Sequence, residues 1–129
     1  MFIATLQAES RFPREAVSFD SIDDIGAFQL LYPLRDTSEL RKFVSDALGT
    51  LERRDQRGTL RETLRAYLEA GGSHADASHR LGIHRNTLAY RLRRIGELIG
   101  RDVADPRLWL TLHLALWASD LLRIDSDEP

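Results

Sequence analysis

Cysteine is absent from the 129 residues of this chain, which excludes disulfide bonds and thiolate-bound zinc. No apolar run approaches the ~20 residues that a membrane-spanning helix needs. The first residues show no basic leader of the secretory kind. We therefore expect a globular protein of the reducing cytoplasm, without a membrane partner.

Patterns that would indicate catalysis are also missing. The sequence has no nucleophile beside a base, no glycine-rich phosphate loop and no paired carboxylates in a catalytic context. Of the four histidines, the first three lie five residues apart, which does not place two imidazoles on one helix face. The sequence predicts no enzyme activity, no cofactor and no metal site.

Charge is unevenly distributed along a chain whose formal net charge is only -2. Residues 1–59 carry 8 basic and 10 acidic side chains, residues 60–100 carry 7 and 4, and residues 101–129 carry 3 and 6. The middle of the chain is therefore basic. A basic segment within a mildly acidic protein indicates contact with an acidic polymer such as nucleic acid.

Helical periodicity and helix-end signals predict four to five helices. Their expected bounds are Thr37 or Ser38 to Leu48, about Leu60 to Gly71, Ser73 to Leu81, Arg85 to Ile99, and Asp105-Pro106 to about Leu122. The predicted fold is mainly α, with a helix-turn-helix bundle of about four helices.

The region before these helices is ambiguous. Apolar residues alternate from Phe28 to Leu34 as in a strand, but Leu31 breaks the alternation and Pro33 disfavours a central strand. We expect a short α or α/β remnant of an upstream domain here. The polar segment 51–58 is predicted as a linker or hinge.

The predicted helix Arg85–Ile99, the basic helix, has two different faces. At 100° per residue, Leu88, Leu92 and Ile95 form one apolar stripe that neighbouring helices can cover, and the opposite side is polar and basic. Gly82 separates this helix from the short helix before it. The segment thus has the order helix, tight turn, helix of a DNA-binding motif. A solvated basic surface is the competing interpretation.

Position along the basic helix predicts the role of each polar side chain. Early residues of a recognition helix meet base edges, where an arginine fork matches guanine and an asparagine amide matches adenine. The expected base contacts are His84, Arg85 and Asn86. Phosphate contacts are expected from later residues and from the start of the preceding helix. These are Ser73, His74, Thr87, Tyr90, Arg91, Arg93 and Arg94.

The last predicted helix is apolar on two sides. Leu110, Leu114, Trp117 and Leu121 lie on the side that a three-helix DNA-binding head leaves uncovered. This side is a candidate dimer or interdomain face. The pattern does not decide between a second copy of the chain and the N-terminal segment as the element that covers it.

Three pieces of the chain carry a family resemblance. TLRAYLEAGG, HRNTLAYRLRRI and DPRLWLTLHLAL resemble, in order and spacing, the C-terminal helix-turn-helix of PucR/CdaR-type bacterial transcriptional regulators. The turn GIHRNTL is similar to the DNA-binding end of the factor for inversion stimulation. That similarity implies base or phosphate contact at His84, Arg85 and Thr87, and phosphate contact at Arg91. A looser resemblance upstream implies the end of a sensory or GGDEF-like region.

The resemblance implies an organisation into three parts. Residues 1–58 would be the end of that upstream region with a connecting helix, residues 59–124 the DNA-binding domain, and residues 125–129 a frayed acidic tail. The predicted function is that of a sequence-specific DNA-binding transcriptional regulator, or its C-terminal part. Expected partners are double-stranded DNA, a second copy of the chain and a small-molecule effector bound by a missing upstream domain. The alternative is a helical interaction or dimerisation module without specific DNA binding.

Overall fold

The computed structural model describes residues 22–127, and all the regular structure within them is helical. The α-helices of this range are α1 (Ile22–Leu31), α2 (Ser38–Leu48), α3 (Leu51–Arg54), α4 (Thr59–Glu69), α5 (His74–Leu81), α6 (Arg85–Ile99) and α7 (Trp109–Asp127). Two 3₁₀ turns lie at Tyr32–Leu34 and Pro106–Leu108. The mainly α fold is confirmed, and α6 is the predicted basic helix. None of these helices is long and apolar enough to cross a membrane.

The ambiguous segment after residue 21 is a helix rather than a strand. Ile25, Phe28 and Leu31 are buried at three-residue spacing, as on one side of a helix, whereas Leu30 is 68% exposed. Pro33 lies in the following 3₁₀ turn, where its fixed φ is tolerated. The alternation of apolar residues from Phe28 to Leu34 therefore does not reflect a strand. Residues 1–21, the rest of the predicted upstream remnant, lie outside the described range.

The described chain divides into two compact units, one of residues 22–41 with 117–127 and one of residues 42–116. In the second unit α4, α5 and α6 each pack against the other two, and α3 also packs against α6. This trihelical arrangement contains the predicted helix-turn-helix.

Residues 51–58 form a packed corner, so the prediction of a linker was wrong. Leu51 is fully buried, and Asp55 is buried too. The Asp55 carboxylate accepts hydrogen bonds from the backbone N–H groups of Leu60 and Arg61, at 3.0 and 2.8 Å. These groups belong to the first turn of α4, where N–H groups have no intrahelical partner and negative charge is favourable. The polar sequence of residues 51–58 gave no sign that the Asp55 side chain caps the first turn of α4, several residues later in the chain.

The last helix differs from its prediction at both ends. A 3₁₀ turn precedes it, in which the Asp105 side chain accepts from the Arg107 N–H, and the α-helix begins at Trp109. It continues to Asp127, beyond the predicted end near Leu122. Once a helix is nucleated, each further residue adds one hydrogen bond, which permits this extension beyond Leu122. Residues 128–129 lie outside the described range.

The turn between α2 and α3 is bonded to the end of the basic helix. The backbone N–H and the Oγ1 hydroxyl of Thr50 both donate to the Leu98 carbonyl oxygen, at 3.1 and 3.0 Å. Carbonyls in the last turn of a helix have no intrahelical donor, so Thr50 satisfies one of them. Gly49 has φ +57°, and a Cβ there would lie 2.8 Å from the same oxygen. This close approach requires glycine.

Substitution of Gly49 tests this bond between the turn and α6. Gly49→Ala should lower the free energy of unfolding by about 2–4 kcal/mol, since it combines a left-handed φ with a backbone collision. Gly58→Ala is the matched control, because Gly58 also has positive φ but has open space around the Cβ position. It should lose only about 1–2 kcal/mol. Urea unfolding followed by circular dichroism measures both, and equal losses would contradict the close approach.

Candidate nucleic-acid interface

The turn between α5 and α6 has the geometry of a compact helix-turn-helix. Gly82 adopts φ 66°, its N–H donates to the His79 carbonyl at 3.2 Å, and the Ile83 N–H donates to the Ser78 carbonyl at 3.0 Å. These two bonds end a helix with a left-handed residue and close its last carbonyls, a role for which glycine is favoured. Ile83 and His84 alone separate Gly82 from the first residue of α6.

One side of α6 is buried and the other is solvent-exposed, as the sequence predicts. Leu88, Leu92 and Ile95 are buried where α6 packs against α4 and α5. Six of the predicted contacts in α6 and at its start are exposed. Asn86, Tyr90 and Arg93 lie opposite the stripe, Thr87 lies on a flank, and His84 and Arg85 lie at the helix start. A helix anchored on one side and polar on the other can enter a DNA groove without unfolding its own core.

His84 caps α6, a role that the sequence did not predict. Its Nδ1 accepts a hydrogen bond from the Asn86 backbone N–H at 3.0 Å. An accepting Nδ1 in a neutral imidazole leaves the proton on Nε2, so the outward nitrogen is a donor. Histidine is not among the preferred N-cap residues, which is why the pattern of capping residues gave no signal.

The arginines of α6 differ in their partners. Arg85 and Arg93 are exposed, and neither guanidinium makes a hydrogen bond or ion pair within residues 22–127. Arg91 is half-buried and donates from Nη1 to Thr63 Oγ1 on α4, at 3.4 Å. The Arg94 Nη1 atom lies 4.0 Å from Oε1 of Glu97, about one turn further along the helix. The most available positive charge therefore lies at Arg85 and Arg93.

The start of α5, predicted as a phosphate site, has internal partners. The Ser73 Oγ accepts from the Asp76 N–H at 3.1 Å, and the Ser73 N–H donates to the Ala70 carbonyl. Ser73 is therefore the N-cap of α5. Asp76 also places a carboxylate in the first turn, which opposes an approaching phosphate. Phosphate contact by Ser73 or His74 stays a prediction.

An aromatic cluster holds α5 in place. The Tyr67 ring meets His74 and Trp109 edge to face, with centroids 5.7 and 6.1 Å apart, and Trp109 Nε1 donates to the Val103 carbonyl at 2.9 Å. Burial raises the pKa of the Tyr67 hydroxyl, and the negative charge of Asp102 raises it further, so Tyr67 stays neutral. Such edge-to-face pairs stabilise packing beyond the area they bury.

The four residues of the candidate dimer or interdomain face differ in exposure. Leu110 is 69% exposed, whereas Leu121 is 2% exposed and is not available to a partner chain. Leu114 and Trp117 are half-buried, and the Trp117 ring centroid lies 6.2 Å from that of Phe28. The N-terminal segment therefore covers part of the predicted face within one chain. The apolar periodicity of α7 could not show which residues of this face the N-terminal segment covers.

The histidine and carboxylate side chains of the described residues do not gather into a candidate metal site. Within residues 22–127, no group of three or more of the residue types that bind metals is positioned to hold an ion. His84 and His74 instead make the cap and ring contacts described above.

The fold and the exposed basic helix define the class: residues 42–116 contain a helix-turn-helix of the DNA-binding kind. Comparison with protein families gives its family. Residues 60–118 match the model described as the PucR C-terminal helix-turn-helix domain. Residues 60–118 therefore belong to this domain family, which confirms the resemblance inferred from the motifs.

Several curated proteins are similar to this chain. The purine catabolism regulatory protein of Bacillus subtilis is 36% identical over 94 residues, 72% of this chain and 17% of that protein. The DNA-binding transcriptional activator AdeR of Bacillus subtilis is 31% identical over 114 residues, 87% of this chain and 27% of that protein.

A third relative is the carbohydrate diacid regulator of Escherichia coli, 45% identical over 71 residues, 54% of this chain and 18% of that protein. The chain thus spans less than a third of the length of these relatives. No solved structure gives a significant match.

The cap at His84 gives a direct test of how α6 begins. His84→Ala removes the acceptor for the Asn86 N–H and should lower the free energy of unfolding by about 0.5–2 kcal/mol. His84→Asn supplies another acceptor and should retain most of the stability of the parent. Thermal unfolding by circular dichroism measures the three proteins, and equal midpoints for all three would show that His84 has no capping role.

Proposed function

We propose that this chain is a sequence-specific DNA-binding transcriptional regulator, or the DNA-binding part of one, and that α6 occupies the major groove. The single observation that carries the proposal is that α6 buries one apolar stripe and exposes two arginines, Arg85 and Arg93, that have no partner within residues 22–127. The membership of residues 60–118 in a helix-turn-helix family supports it. So do the names of relatives, which are regulators and activators.

Base contacts are assigned to the first turn of α6. Arg85 would place its guanidinium fork on guanine O6 and N7, and Asn86 would pair with the N6 and N7 edge of adenine. Both side chains are exposed. His84 would contribute its Nε2–H to a nearby acceptor, because its Nδ1 is already used in the cap. The cap thereby orients a third side chain toward the groove.

Phosphate contacts are assigned to the outer side and flanks of α6 and to the start of α5. Thr87, Arg91, Arg93 and Arg94 would hold the two DNA strands by hydrogen bonds and charge, which fixes register rather than sequence choice. The contact between Arg91 and Thr63 pre-orients one of these cations before DNA arrives. His74 would add its backbone N–H at the start of α5, and Ser73 its hydroxyl proton, because the Ser73 backbone N–H is bonded to Ala70.

Binding to DNA also implies where the protein acts and which other components it needs. DNA in a bacterial cell lies in the cytoplasm, so we place the protein there. The proposal assigns no catalytic step and no cofactor to the chain, because groove recognition needs neither. In a longer regulator, a small-molecule effector would act through a domain upstream of these residues.

Variants at two exposed arginines separate base recognition from phosphate binding. Arg85→Ala should weaken binding to a duplex selected from a random pool by about 1–3 kcal/mol and relax base preference at one position. Arg93→Ala should weaken selected and random duplexes alike, and should reduce the slope of log K against log salt by about one. Fluorescence anisotropy over a range of salt concentrations measures both.

The matched control is Arg107→Ala. It removes the same charge, but Arg107 is exposed and paired with Asp105 at 3.0 Å, away from the basic helix in sequence. Its binding should equal that of the parent. Binding that is insensitive to salt, or absent for every duplex, would reject the DNA-binding proposal and favour the alternative of a protein-interaction module.

We further propose that the protein acts as a homodimer, through Leu110 and the half-buried Leu114. Two copies of α6 about one DNA turn apart would address a roughly palindromic site. Support comes from the 69% exposure of Leu110 on α7, since an exposed leucine beside other apolar residues suits a protein contact.

An acidic substitution at this position tests the dimer. Leu110→Asp should convert a dimer to a monomer in sedimentation equilibrium and should leave the thermal midpoint of the monomer fold unchanged. Leu30→Asp is the control, because Leu30 is 68% exposed at another place on the chain. A parent that is monomeric both free and on a palindromic duplex would refute the dimer, as would a Leu110→Asp variant that stays dimeric.

A further inference from the structure

Tyr90 is an exposed aromatic side chain on the outer side of α6. It is 64% exposed, and within residues 22–127 it makes no hydrogen bond or ring contact. At 100° per residue it lies on one stripe with Asn86 and Arg93, opposite the buried Leu88. An aromatic ring in this position faces the same surface as the side chains assigned to base edges and phosphates.

The spacing along the helix locates Tyr90 relative to Asn86. Four residues correspond to a rise of about 6 Å. A helix lies at an angle to the DNA axis in the major groove, where residues three to four positions apart contact successive bases, as in zinc fingers. When Asn86 contacts an adenine, Tyr90 therefore faces the edge of the neighbouring base pair.

The chemistry of the ring selects among the groups found there. Major-groove base edges present polar donors and acceptors, and the 5-methyl group of thymine is their apolar feature. A phosphate contact, the role predicted for Tyr90 from the sequence, would use the hydroxyl and leave the ring in water. Contact with a methyl group instead removes apolar surface of both partners from water.

Resting on the proposed function, we propose that Tyr90 is a specificity-determining residue. Its ring contacts the 5-methyl group of a thymine in the base pair next to the adenine that Asn86 contacts. The hydroxyl is not required for this contact, because methyl recognition depends on the apolar ring.

The test replaces this thymine by deoxyuridine in a duplex selected from a random pool. Deoxyuridine pairs as thymine does and lacks only the methyl group. The parent should bind the substituted duplex about fourfold more weakly, the effect of leaving one carbon group unburied. Tyr90→Ala should bind both duplexes equally, and Tyr90→Phe should keep the discrimination of the parent. Deoxyuridine at a flanking thymine is the control and should have no effect.

Other outcomes of this binding test would overturn either the methyl contact or DNA binding itself. A selected site without thymine at this position, or a parent that binds both duplexes equally, overturns the proposal while DNA binding itself stands. Tyr90→Phe binding as weakly as Tyr90→Ala also overturns it, since that result assigns the hydroxyl to a phosphate. A parent that binds no duplex at all rejects the proposed function, and is recognised by the absence of any anisotropy change.

Discussion

Burial of Leu88, Leu92 and Ile95 is the constraint on which the presentation of the basic helix depends. Once this stripe is fixed where α6 packs against α4 and α5, the rotation of the helix about its axis is fixed as well. Rotation by half a turn would place three large apolar side chains in water and arginines in the core, each an unfavourable transfer. The outward position of Arg93 is therefore a consequence of apolar burial.

Burial of this stripe sets the rotation of α6 about its axis but not the positions of its two ends. Two polar contacts set those positions. His84 caps the first turn through Nδ1, and Thr50 donates twice to the Leu98 carbonyl near the last turn. Asp55 acts similarly at the start of α4, the helix against which α6 packs. These contacts define the position of the proposed DNA-contacting residues before DNA binds, which lowers the ordering cost of binding.

Local signals explain which features could be predicted. Ser73 and Gly82 delimit α5 through interactions within a few residues, and the apolar period of α6 directly reflects its buried side. The bond between Thr50 and Leu98 joins positions 48 residues apart, so no local pattern contains it. The cap at His84 was missed for a different reason, since Nδ1 of histidine accepts a hydrogen bond only in the tautomer protonated on Nε2, and histidine is not a preferred capping residue.

The central claim is that the outer side of α6 is the surface that contacts DNA. Titration of the isotopically labelled chain with a selected duplex, followed by backbone amide chemical shifts, tests it most directly. If this side contacts DNA, the largest changes in amide chemical shift should cluster at the turn and first half of α6, from Ile83 to Arg94. These changes should diminish as salt is raised. Changes centred on α7 around Leu110 with α6 unaffected would contradict it.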